Sequence, residues 1–101
     1  MRVQHRVLVI DVETTGFDPA QHACIEIGAV LLDESLRPVQ EFSSLIALWE
    51  GAQIMEQAMK VNQINQEQLQ SAPLVDEVVK KFHDTFRLDE IAPLIAGWNV
   101  W

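Results

Sequence analysis

The sequence predicts an α/β domain on a mixed sheet, a three-stranded meander followed by helices and a returning central strand. Three short apolar runs separated by turn residues lie early in the chain. Beyond Glu50 the hydrophobic spacing changes to that of helices, and a further apolar run follows the last of them. Strands, then helix, then strand fits a mixed sheet with a helical crossover.

Residues 6–12 are rich in β-branched side chains and too few for a helix, which predicts a buried strand. Residues 14–22 read as a loop, with Gly16, Asp18 and Pro19 as its turn formers. A second strand is expected over 24–32, a turn at Asp33-Glu34-Ser35, and a third strand around 39–46. Residues 54–69 read as two short helices broken near 62–65, where Asn65 and Gln68 have the spacing of a capping pair. Pro73 suits the first turn of the next helix, whose apolar face is Val75, Val78, Val79, Phe82 and Phe86. Leu94-Ile95-Ala96 then reads as a short buried strand.

The chain has 101 residues, 49% of them hydrophobic and 22% charged, so it is expected to be one folded unit and not two. A lone Cys24 allows no internal disulfide, and the apolar run 7–10 is too brief for a secretory or membrane segment. The expectation is a soluble cytoplasmic protein with no membrane partner. A net charge of −8 argues against a sequence-independent electrostatic grip on a nucleic-acid backbone. It leaves open a nucleic-acid substrate held through metal ions, which reverse the local sign of a carboxylate site. A strand leading out of the core is normally followed by something that covers it, so the chain reads as truncated, with an apolar sheet face and an edge open to aggregation or dimerisation.

The chemistry concentrates at Asp11 and Glu13, two carboxylates two residues apart at the end of the first strand. Alternation places both on one face, roughly 6 to 7 Å apart along the strand. Hard oxygen ligands suit Mg²⁺ or Mn²⁺, and two such ions about 4 Å apart activate water and stabilise the leaving oxygen in phosphodiester hydrolysis. The pair by itself is equally compatible with a solvated strand end. Thr14-Thr15-Gly16 adds hydroxyls and backbone N–H groups in a tight loop, which favours phosphate or sugar binding.

Asp11-Val12-Glu13-Thr14-Thr15-Gly16 resembles the first motif of the DEDD (DnaQ-like) 3′-to-5′ exonucleases, the family of the polymerase III proofreading subunit and ribonuclease T. Ile25-Glu26-Ile27-Gly28-Ala29-Val30 is similar to the strand that follows it in that family. Residues 58–64 resemble its Val-His/Asn-Gly-Ile segment, with Gln63 where Gly is usual, and residues 95–99 the start of its second motif, with Trp98 where His is more frequent. Four motifs in order span nearly the whole chain.

The resemblance implies a ribonuclease H-like fold and a two-ion site of Mg²⁺ or Mn²⁺ with Asp11 and Glu13 as catalytic ligands. It implies that Thr14, Thr15 and Gly16 hold the 3′-terminal nucleotide by backbone and hydroxyl contacts, and that Phe17 packs on its base. Asn62 would touch that base or sugar, and Asn99 would shape the second motif, although a helix cap and a turn residue explain these two equally well. The second motif is cut and the third absent, so residues 1–101 are expected to be the N-terminal portion of one exonuclease domain, inactive alone. The implied partner is a nucleic acid with a free 3′ end, DNA or RNA, together with a polymerase or a second copy of the chain. Two other readings stand beside it, a non-catalytic nucleic-acid-binding or assembly module of the same fold and a haloacid-dehalogenase-like phosphatase. The dispersed His5, His22 and His83 have no ligand spacing.

Overall fold

The computed structural model describes residues 5–98. Its elements run β1 (Val7–Thr14), β2 (Cys24–Leu32), β3 (Pro38–Leu45), α1 (Glu56–Asn62), α2 (Gln66–Gln70), α3 (Val75–Phe86) and β4 (Leu94–Trp98). The four strands form one sheet in the order β3-β2-β1-β4, with β1 antiparallel to β2 and parallel to β4. The meander and the return of the chain beside β1 are as the sequence predicts. Among the described residues, however, β4 is an edge strand with Leu94 and Ile95 exposed, and not the buried central strand expected, because no described element pairs with its outer side or covers it. β1 continues two residues beyond its expected end, so Glu13 and Thr14 belong to the strand and the loop starts at Thr15.

The β2–β3 turn is closed by Asp33, whose Oδ1 accepts the N–H groups of Ser35 at 2.8 Å and Arg37 at 3.0 Å. Those donors, Arg37 first, hold the Asp33 carboxyl below its ordinary range. Asn65 caps α2 in a reciprocal box with Gln68, as its spacing predicts. Pro73 differs from expectation. It lies before the Leu74 N-cap of α3, where its carbonyl accepts the Ala47 N–H at 2.9 Å and pins the chain after β3 to the start of the helix.

Gln63 ends α1 in the left-handed region, with φ 60° and its N–H bonded to the Met59 carbonyl. A side chain there meets its own backbone, which is the physical reason a glycine would sit more easily at this position. Leu36 and Arg87, at φ 62° and 53°, mark two other element ends in the same way.

Alternation along β1 gives the sheet two unlike faces. Leu8 and Ile10 face α3 together with Ala29, Leu31 and Phe42, and Phe82 and Phe86 of the helix close this core. Phe42, Phe82 and Phe86 meet edge to face, with centroids 5.1 to 6.4 Å apart. A second cluster joins Ala23 and Ile25 to Ile64 and Leu69, which seats α1 and α2 at one end of the sheet. The opposite face carries Val9, Asp11 and Glu13 of β1 and Leu94 of β4. Val9 is 38% exposed and Leu94 54%, so this face is open among the described residues.

The helix face predicted for α3 is wider than the surface that covers it. Val78 and Phe86 are buried, whereas Val75 and Val79 are about half exposed. α3 lies over β2 and β3 and leaves Ile95 of β4 and Trp49 in contact with solvent, so neither fills the core. A truncation series in α3 separates the two sides of the helix. Phe86→Ala is expected to lower unfolding stability by about 3 to 5 kcal/mol and Val79→Ala by less than about 1 kcal/mol, measured by urea unfolding.

Candidate active site

The site forms where β1 ends between β2 and β4. Asp11 stands opposite Gly28 on β2 and Trp98 on β4, and Glu13 stands opposite Glu26. Register therefore puts a third carboxylate on the face of Asp11 and Glu13. Sequence reasoning placed Glu26 in a motif and gave it no role, because only the pairing of the two strands brings it beside Glu13. Asp11 is exposed, while Glu13 and Glu26 are partly covered. Burial, then the charges of Asp11 and Glu26, push the Glu13 carboxyl above its ordinary range.

Beyond Glu13 the pairing slips by one residue, so that Thr14 opposes Cys24. Such an irregularity ends the ladder and re-aims the chain, here into the loop 15–23. Thr15 closes that loop. It is fully buried, its N–H donates to the Ala23 carbonyl at 2.9 Å, and its hydroxyl accepts the Ala23 N–H at 2.9 Å while donating to the Gln53 carbonyl at 2.7 Å. Its carbonyl accepts the Met55 N–H at 2.7 Å.

Each polar group of Thr15 thus has a partner inside the protein, so its N–H and hydroxyl serve the loop in this structure. Gly16 is likewise buried, and its missing side chain makes room for the His22 ring, whose atoms lie 2.5 to 2.6 Å from where a Cβ would stand. Thr14 directs its hydroxyl to the Gly16 carbonyl at 2.7 Å. Asn62 is also turned inward. Its Nδ2 donates to the Thr14 carbonyl at 3.3 Å and its Oδ1 accepts the Ile64 N–H at 3.1 Å, so its amide joins the end of α1 to the end of β1. Asn99 lies outside the described residues.

Phe17 remains free, 72% exposed at the loop tip. A cleft of about 340 Å³ lies between it and α1, lined by Glu13, Thr14 and Phe17 on one side and Gln57, Ala58 and Val61 on the other. Val61 is 82% exposed, so two unburied apolar side chains flank an opening that contains a carboxylate. Asp11 borders a shallower hollow of the open sheet face, with Val9, Gly28 and Ser43. A wider depression of about 570 Å³ between α1 and α2, lined in part by Glu56 and Lys60, includes neither carboxylate of the pair, and the smaller cleft is the one that Glu13 enters.

Asp11 and Glu13 offer oxygen donors of the kind hard divalent ions take. No ion pair among the described residues involves them or Glu26, so their crowding is uncompensated by any basic side chain there. Among the described residues no three His, Cys, Asp or Glu side chains converge to hold a metal, so these carboxylates fit such an ion as part of a ligand set. His83 and Asp89, 3.9 Å apart, form an exposed pair on the far side of α3. No helix among the described residues is long and apolar enough to cross a membrane.

A mixed sheet with an acidic pair at the end of its central antiparallel strand and a cleft beside it is an arrangement of nucleases with a ribonuclease H-like fold. The family model described as Exonuclease, of the RNase T type, matches residues 8–97, and the chain belongs to that family. It is 35% identical over 75 residues, 74% of its own length, to the PolC-type DNA polymerase III of Thermotoga petrophila, of which those residues are 5%. Thus the chain spans a small part of the curated relatives it matches.

Among solved structures, a 3′-exonuclease that recognises the 3′ end of a histone mRNA stem-loop superposes with TM-score 0.80 at 24% identity. The match covers 99% of this chain and 38% of that one. Escherichia coli exonuclease I in complex with a dT13 oligonucleotide superposes with TM-score 0.77 at 18% identity, over 95% of this chain and 21% of the other. These likenesses establish the fold, and family membership sets aside the haloacid-dehalogenase-like reading.

Two substitutions test the site as a physical object. Gly16→Ala drives a Cβ into the His22 ring and is expected to destabilise the protein by about 1 to 3 kcal/mol in thermal or urea unfolding. Glu13→Gln acts through charge. Because the folded protein raises the Glu13 pKa, the native state holds that proton more tightly than the unfolded chain, and this advantage is complete below the unfolded value near ~4.3. It is lost as pH rises through the raised folded value. In EDTA, Glu13→Gln is therefore expected to melt above the parent at neutral pH and level with it below about pH 4, as followed by thermal denaturation.

Proposed function

We propose that the chain carries part of the active site of a metal-dependent 3′-to-5′ exonuclease acting on a nucleic acid with a free 3′ end. The observation that carries this is the cleft between Phe17 and Val61, with Glu13 in its wall and Asp11 two residues behind on the same strand face. In this reading Asp11 and Glu13 hold Mg²⁺ or Mn²⁺, which supplies charge neutralisation and an activated water for phosphodiester hydrolysis. Phe17 and Val61 grip the terminal base between apolar surfaces, as aromatic platforms do in single-strand sites. Thr14 and Gly16 shape the turn, and Thr15 and Asn62 hold the two walls of the cleft in register.

The small share of its relatives that the chain spans supports reading residues 1–101 as the N-terminal portion of one exonuclease domain, with the remaining ligands supplied from beyond it. The likeness to a PolC-type polymerase supports a polymerase as the working partner, and the single cysteine suits a reducing cytoplasm.

Calorimetric titration of Mn²⁺ into the chain and into an Asp11→Ala, Glu13→Ala double variant tests the site directly. The parent is expected to bind, and the variant to bind more than about tenfold more weakly, a loss that even an outer-sphere partner causes at a metal site. On a 3′-labelled single strand both are expected to be inactive alone. Equal Mn²⁺ binding by the two chains would reduce the pair to surface carboxylates and leave a non-catalytic binding module as the better description. Stepwise 3′ shortening by the parent would overturn its description as part of a site.

A further inference from the structure

Phe17 is exposed on every side that solvent can reach, yet the peptide that follows it is fixed. The Asp18 N–H donates to His22 Nδ1 at 3.0 Å, and the Asp18 carbonyl accepts the N–H groups of Gln21 at 3.0 Å and His22 at 2.8 Å. The imidazole fills the space left by the absent side chain of Gly16. His22 is held from its other side by a strand-like bridge to Gln53, next to the carbonyl that Thr15 engages. The ring is therefore clamped between the start and the end of the loop that presents Phe17.

Nδ1 accepts a hydrogen bond only while it lacks a proton, so this geometry requires the neutral Nε2–H tautomer. A proton on Nδ1 sets two donors against each other, and the Asp18 peptide has no second acceptor in the turn. The Asp18 carboxylate is on the same turn, with Oδ1 accepting the Ala20 N–H at 3.0 Å. The cavity that His22 lines also includes the Cys24 thiol from β2, Trp49 from the segment after β3 and Val75 from α3. Of the groups facing His22, counting Gln53, only Asp18 and Cys24 titrate.

We propose that His22 is a positioning residue whose neutral imidazole, through the Asp18 N–H, holds Phe17 at the mouth of the carboxylate cleft. Protonation of His22 releases Phe17 and weakens the grip on a nucleotide 3′ end. The inference rests on the exonuclease reading for its consequence, and on the hydrogen bond and the Gly16 packing for its mechanism. Asn is the informative replacement, because its side-chain oxygen stands where Nδ1 does and does not titrate. Leu removes the acceptor altogether.

The experiment has two arms on the full chain. In the ligand-free protein, NMR follows the Asp18 amide proton and the His22 ring nitrogens from about pH 8 to 5, the range in which imidazoles take up a proton. The two are expected to titrate together. In the second arm, calorimetry with adenosine 5′-monophosphate and Mg²⁺ compares about pH 7.5 with about pH 5.5. On acidification the parent is expected to lose about 3- to 10-fold more affinity than the loss that protonation of the nucleotide phosphate imposes on every variant, the share of one positioning hydrogen bond. His22→Asn is expected to show only that shared loss, and His22→Leu to be weak at both. An Asp18 amide indifferent to the ring, or an equal pH dependence in the parent and His22→Asn, overturns the proposal. Failure of the parent to bind the nucleotide at either pH overturns the proposed consequence, and a titrating Asp18 amide in that case locates the failure in the part-built site and not in the latch.

Discussion

Four hydrogen bonds converge on Thr15, and the geometry of the cleft depends on them. A threonine with no solvent exposure is stable only if each polar group is paired, since one left unpaired costs about 1 to 3 kcal/mol. Here the partners come from three places in the chain. Ala23 begins the return into β2, Gln53 belongs to the segment before α1, and Met55 is the N-cap of α1 itself. One side chain and its peptide thus fix the end of β1, close the loop and set the distance from that loop to the helix across from it.

Asn62 repeats the arrangement at the other end of the helix, tying the end of α1 to the Thr14 carbonyl. α1 is only seven residues long, too short to be stable by its own hydrogen bonds, and none of its residues is buried. Its place comes from these two attachments and from Met59 packing on Ile64 and Leu69. The loop on the opposite wall is held in the same economical way, by a His22 ring set against a glycine. Both walls of the cleft are therefore polar clamps on short segments, and the sheet supplies the rigid floor.

That floor is also where the charge is concentrated. Leu8 and Ile10 anchor β1 in the core through one face, which obliges Asp11 and Glu13 to emerge on the other. Glu26 arrives from β2 at the same level. Burial of Glu13, and then repulsion from Asp11 and Glu26 with no basic partner among the described residues, raise the Glu13 pKa. A divalent cation bound there, as proposed above, would relieve such crowding.

The order of elements, the acidic pair and the capping of α2 were legible in the sequence because each depends on residues close together along the chain. Period-two alternation puts Asp11 and Glu13 on one face wherever the strand lies, and Asn65 meets Gln68 within a single helical turn. Tertiary structure decided what depends on partners distant in sequence. It turned Thr15 and Asn62 inward, brought Glu26 opposite Glu13, made His22 the companion of Gly16, and left Val79 uncovered on a helix whose spacing predicted a wider contact. Periodicity states which side chains share a face, whereas hydrogen-bond partners and coverage are set by what the rest of the chain brings against that face.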